Sequence, residues 1–197
     1  MISTRKVLFG SALLVLLLSA GGAQAMGMRV SSIGSHAQRV LWLAATRPNI
    51  VHLKELLSAH VVDPNFRVTV YDGLAPEVSE QITPLMAAVV NYRVDVVKAM
   101  LASSRVDVNH NGLTKEGVPF RALDCAAMEI LRTKTRINAV LAGGGDPSAV
   151  ASPGTPGMGR DLYSELGKQE LLADLLHNAG GTNLLMNGDG NRILVIQ

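Results

Sequence analysis

The residues best able to do chemistry in this chain are few and scattered. His36, His52, His60, His110 and His177 could each ligate a metal, but their separations provide none of the close pairs that a zinc site uses. Asn187-Gly188-Asp189-Gly190-Asn191 opens like a calcium-binding loop. Arg192 then stands where that loop requires glycine, and no glutamate closes it, so the segment reads as a turn. Gly143-Gly144-Gly145 follows a helical pattern rather than a strand, which makes it a helix stop and not a phosphate cradle. No G-x-S-x-G, H-E-x-x-H or Walker loop occurs. Cys125 is the single cysteine, so no internal disulfide forms. A redox or intermolecular role for it would require exposure and a lowered pKa; its place in an apolar pattern reads as a small core residue. These residues predict a protein that is not an enzyme and uses no cofactor or metal.

The start of the chain has a different purpose. Arg5 and Lys6 precede an apolar run from Val7 to Leu18, and Ala23-Gln24-Ala25 provides a small-x-small cleavage site. This layout predicts a secretory signal peptide over residues 1–25, cleaved after Ala25, and a periplasmic or secreted product. The run is short for a bilayer span, which needs roughly 20 apolar residues. No cysteine follows it to direct lipoprotein processing. The leader holds two of the 18 basic residues and no acidic one, leaving 16 of each sign in the remainder. That balance gives no electrostatic case for nucleic acid or an anionic membrane as partner.

The elements that must position any site centre on Thr83–Asn109. Thr83-Pro84 opens a helix, because proline is tolerated where the N–H would be unpaired anyway. Leu85, Ala88 and Val89 give it an apolar face. After a break at Asn91-Tyr92, Val94, Val97, Met100 and Leu101 recur with helical spacing. Val106-Asp107-Val108-Asn109 leads into a loop. This stretch, T-P-L-M-A-A followed by a second helix and a D-V-N exit, resembles one ankyrin repeat. A single helix pair cannot bury its apolar faces alone, so neighbours are expected.

Three other segments share the apolar pattern. Leu41–Ala45 with Ile50, Leu53, Leu56 and Leu57 aligns with the central pair, and exits through Asp63-Pro64-Asn65. Arg121–Ala127 with Ile137, Val140 and Leu141 gives a third pair. Arg160–Leu166 with Leu172, Leu175 and Leu176 gives a degenerate fourth. The expected fold is therefore an all-α ankyrin-repeat solenoid of about four repeats over residues 30–183, with Trp42 in its core. Ala44 to Ala88 is 44 residues and Ala88 to Ala126 is 38, against about 33 for an ankyrin repeat. The excess falls in the finger connections. Arg67–Gly73 alternates and ends in Asp-Gly, a hairpin-type turn. Residues 148–159 read as a loop. The tail, residues 184–197, reads as a short β-prone hairpin that either caps the stack or offers a strand edge.

The resemblance implies a binding surface made of finger tips and the ends of the first helices. Mapped onto this sequence, the helix ends are Thr46 and Arg47, Val90 and Asn91, and Met128 and Glu129. The first finger offers Tyr71, Asp72, Glu77 and Glu80, and the second Lys115, Glu116 and Phe120. Tyr71 either anchors a partner or packs on its own finger. The resemblance further implies an exported protein-binding module whose partner is another protein, with inhibition of a lytic enzyme or toxin as the expected role. A periplasmic scaffold, assembled through Cys125 or the tail, and a secreted effector are the alternatives. Histidine often follows T-P-L in the family; here Trp42, Met86 and Asp124 occupy those positions. That departure points to a stack held more by apolar contact.

Overall fold

Four of the six described helices begin where a short polar side chain, Ser35, Asn49, Thr83 or Asp161, caps them. In the computed structural model, which describes residues 29–31, 34–47, 49–60, 62–71, 79–151 and 159–184, Ser35 Oγ accepts from the Gln38 N–H ahead of α1 (His36–Thr46). Asn49 Oδ1 accepts from the His52 N–H ahead of α2 (Ile50–Ser58). Thr83 Oγ1 accepts from the Met86 N–H at 3.2 Å, with Pro84 as the first residue of α3 (Pro84–Val90). The Thr83 N–H donates to Met86 Sδ, a thioether where a capping box usually carries glutamate. The remaining helices are α4 (Val94–Leu101), α5 (Ala122–Ala142) and α6 (Leu162–Asn178).

The helices form two rows. α1, α3 and α5 lie side by side, and α2, α4 and α6 lie behind them in the same order. Ala44, Ala88 and Ala126 mark the seam of the first row, each almost fully buried. Small side chains there let helix axes approach closely, and Leu41, Trp42, Met86, Leu53, Val97 and Met100 fill the space between the rows.

The all-α expectation is overturned by the sheets. Five antiparallel strands, β1 (Arg29–Ser31), β2 (Val68–Tyr71), β3 (Ser79–Ile82), β4 (Gly112–Leu113) and β5 (Pro119–Phe120), pair in sequence order. β2 and β3 share four ladder positions, from Val68↔Ile82 to Tyr71↔Ser79. β3 and β4 share one, Gln81↔Leu113. The alternation in Val68-Thr69-Val70 sends Val68 and Val70 into the core, so the strands are part of the fold rather than decoration on loops. The register leaves seven residues, 72–78, between Tyr71 and Ser79; the expected turn at Asp72-Gly73 lies outside the described residues.

The repeat count is corrected as well. Among the described residues there are three helix pairs, not four. Residues 130–136 contain no glycine or proline, and Glu129, Thr133 and Ile137 are buried at i, i+4 and i+8, so α5 runs unbroken for 21 residues. α6 likewise passes through Gly167 without a break; one helical glycine costs only about 1 kcal/mol, and Leu162, Gln169, Leu172 and Leu176 bury one side of the helix. The segments read as a third and a fourth pair are thus two long helices packed on each other. α5 ends at the glycine run, where the Gly145 N–H donates to Val140 O and Gly144 adopts a φ of 72°. A 3₁₀ turn, Pro147–Ala149, and a two-strand ladder, β6 (Val150–Ala151) with β7 (Gly159–Arg160), link α5 to α6 in place of a plain loop. The expected signal peptide, residues 1–25, and tail residues 185–197 lie outside the described residues.

Candidate functional site

The two finger hairpins form one sheet, joined through Gln81 and Leu113, and they lead into the N-terminal ends of α3 and α5. Gly112 permits that joint. A Cβ there would lie 2.6 Å from Gln81 O and 2.9 Å from both Met86 Sδ and Phe120 Cζ. The second hairpin turns through residues 114–118, where the Thr114 N–H donates to Val118 O and Gly117 takes a φ of 78°. Lys115 and Glu116 are exposed on this turn and ion-paired at 3.5 Å.

The expected contact residues divide. Arg47 and Asn91 are exposed at the C-terminal ends of α1 and α3. Asn91 stands about 10 Å along α3 from the hairpins, at roughly 1.5 Å per residue. Thr46 is half-buried and its hydroxyl donates to Trp42 O, within its own helix. Tyr71 lies in β2, opposite Ser79 and Arg29. Asp72 and Glu77 fall outside the described residues. Val90, Phe120, Glu80 and Glu129 are buried and are not surface residues. Met128 is half-buried against the core. The cause at Met128 and Glu129 is the length of α5: the helix end expected there does not exist.

Two buried acids are the main electrostatic features. Glu80 occupies an inward position of β3 opposite Val70, only 4% exposed, and its Oε1 has no hydrogen-bond partner. Burial pushes its carboxyl up to about 7, with Glu116 raising it further and Lys115 lowering it. Glu129 accepts a hydrogen bond from the Tyr92 hydroxyl through Oε2 and is ion-paired with Arg132 at 3.5 Å. Burial raises the Glu129 carboxyl, and the Tyr92 and Arg132 contacts oppose that rise. Tyr92 itself is driven up by burial and by Glu129. It adopts a φ of 55°, the left-handed conformation of the turn between α3 and α4.

Tyr92 lines a small open cleft of about 260 Å³ with Asp161, Ser164, Glu165 and Lys168 from α6. Behind it the Gln169 amide donates to Thr133 Oγ1 at 2.8 Å, and Glu165 pairs with Arg136 at 3.6 Å. Sequence reasoning missed this cluster, because Glu129, Thr133 and Gln169 are polar residues whose burial is a tertiary outcome. Only the pairing of α5 with α6 reveals it. The Cys125 thiol is buried and pushed well above its ordinary value, first by burial and then by Asp124. Asp124 accepts from the Arg121 and Leu184 N–H groups, fixing the start of α5 to the segment after α6.

Among the described residues no three His, Cys, Asp or Glu gather as a metal set, and no helix is long and apolar enough to cross a membrane. Compared with protein-family models, curated proteins and solved structures, the chain matches none.

Proposed function

We propose that this chain is an exported protein-binding module that neutralises a partner enzyme or toxin by laying its hairpin connections over it. The observation that carries the reading is the joining of two hairpins into one sheet on a helical base, with the charged turn Lys115-Glu116 exposed at one end. Most buried polar groups serve packing: Asp124 caps backbone N–H groups and Gln169 holds Thr133. The likeness of Thr83–Asn109 to an ankyrin repeat supports the same reading, since that family binds proteins through its fingers. The leader-like residues 1–25 support export. Assembly through Cys125 lacks support, because a reactive thiol requires exposure and a lowered pKa and this one is buried with a raised pKa.

Deleting residues 67–81 would remove Val68 and Val70 from the core and so unfold the protein along with its surface. The sharper test replaces residues 72–78 with Asn-Gly, a two-residue turn that keeps the ladder between β2 and β3. Both proteins serve as bait against the exported proteins of the producing cell. Loss of a specific prey with unchanged thermal unfolding is the expected result. Equal capture by both baits refutes the reading.

A further inference from the structure

The joint between the two hairpins is the weakest seam in the sheet. β2 and β3 are held by four ladder positions, β3 and β4 by Gln81↔Leu113 alone. Next to that single position, on the inward face, sits Glu80. The other inward residues of β2 and β3 are Val68, Val70 and Ile82, all buried, so a carboxyl stands where the alternation calls for an aliphatic side chain. Nothing hydrogen-bonds its Oε1. A buried acceptor without a donor costs about 1–3 kcal/mol, and more if it is charged. Neutral packing would be served better by valine.

We propose that Glu80 is a proton-operated latch between the hairpins: protonated, it lies closed against the apolar underside of the sheet; ionised, it draws Lys115 away from Glu116 and loosens the joint. The groups that face it are few. From the second hairpin they are Lys115 and Glu116, already paired with each other at 3.5 Å. From α5 the neighbour is Cys125, kept neutral by burial, with Asp124 beside it engaged by the Arg121 and Leu184 N–H groups. β2 presents only Val68 and Val70 on that face. Among the described residues, Lys115 is the cation that acts on Glu80, and it sits on the turn the latch would move. As a control on partner capture, the latch rests on the binding reading above; as a motion of the sheet, it does not.

The test needs no partner. Amide shifts of Gln81, Leu113, Lys115 and Glu116 are followed from pH 5 to 9 in the product of the full-length sequence. A shared transition with its midpoint near 7 is expected. Glu80→Gln should abolish it, Lys115→Met should move it upward, Glu116→Gln should move it downward, and Glu129→Gln should leave it in place. A transition that survives Glu80→Gln, or one centred in the ordinary carboxylate range, overturns the latch. Should Glu80→Gln fail to fold, the opposed shifts of the Lys115 and Glu116 variants decide the matter. Equal capture by both baits, with the transition present, would sink the binding reading and leave the latch standing.

Discussion

Asn65 grips Asp107 from the preceding helix pair. Its Oδ1 accepts from the Asp107 N–H at 2.8 Å while its Nδ2 donates to Arg105 O at 2.9 Å. Asn109 makes the same two bonds one pair later, to the Thr182 N–H at 2.8 Å and to Gly180 O at 2.9 Å. Each asparagine is itself held by an aspartate two residues earlier, Asp63 and Asp107, through a 2.9 Å bond from its own N–H. The sequence separation is 42 residues in the first lock and 73 in the second. The lengthened α5 and α6, with their connection, are therefore accommodated inside one unit without disturbing how that unit is fastened.

Removing either asparagine tests this fastening. Asn65→Ala loses two side-chain hydrogen bonds and Asn109→Ala three, the third from the Thr182 hydroxyl; most of these groups are exposed, so water replaces part of what is lost. Each should cost about 1–2 kcal/mol, at roughly 1 kcal/mol net per bond, measured by urea unfolding. Faster amide exchange at Thr182 is expected for Asn109→Ala alone. An unchanged midpoint in both variants would mean that the locks are a consequence of packing and contribute nothing to it.

Tyr92 offers a second test. A tyrosine in left-handed conformation carries strain of about 1–2 kcal/mol, tolerated here because its hydroxyl reaches the buried Glu129. Tyr92→Phe keeps the strain and removes the donor, leaving a buried carboxylate oxygen unmatched. A loss of about 1–3 kcal/mol follows. The loss should shrink in the background of Glu129→Leu, where no acceptor is stranded; the double-mutant cycle reads the coupling directly. Additive losses would show that the contact between the two residues is inert.

How far the sequence disclosed this molecule depends on what each residue competes with. Thr83-Pro84, the helical spacing of Val94, Val97 and Met100, and the Gly143–Gly145 stop act within a few residues, and each specifies the element found there. The continuity of α5 is a long-range outcome. Thr133 and Gln169 look like surface residues until α6 buries both against each other. The sheet was hidden for a similar reason. Gly112-Leu113 and Pro119-Phe120 are two-residue strands, too short for any alternation to show; they pair with each other, and β3 joins them at Gln81↔Leu113. The resemblance places Glu80 on a finger and Glu129 at a helix end; the register of β3 and the length of α5 put both inside. Asp-x-Asn was visible twice as an exit motif, but its partners lie 40 residues away or more.

Gly112→Ala probes the finger joint sterically. The added methyl would meet the Gln81 carbonyl at 2.6 Å, and backbone on a paired strand cannot withdraw as a side-chain tip can. Met86 and Phe120, both buried, close the other sides. Overpacking of this kind costs about 1–3 kcal/mol. The loss should appear in thermal unfolding together with broadened amide signals at Gln81 and Leu113. Gly117→Ala strains only an open turn with nothing within 4 Å, so it should be destabilising without disturbing Gln81.

The stability of the protein should carry the signature of Glu80. Its folded value of about 7 lies above the ordinary 4.5, so between those pH values the folded state holds a proton that the unfolded state has released. Stability from this group is therefore complete below about pH 4.5, falls as pH rises towards 7, and is level beyond it. A separation of that size corresponds to roughly 3 kcal/mol at about 1.4 kcal/mol per pH unit. Glu80→Gln cannot ionise and lacks the slope. Urea unfolding of both proteins at pH 4.5 and pH 8 isolates the effect, since every other titrating group cancels in the difference. The variant should gain on the parent by about 3 kcal/mol between the two conditions. The same difference at both pH values would show that Glu80 titrates as an ordinary solvated carboxylate, and would contradict its placement beneath the sheet.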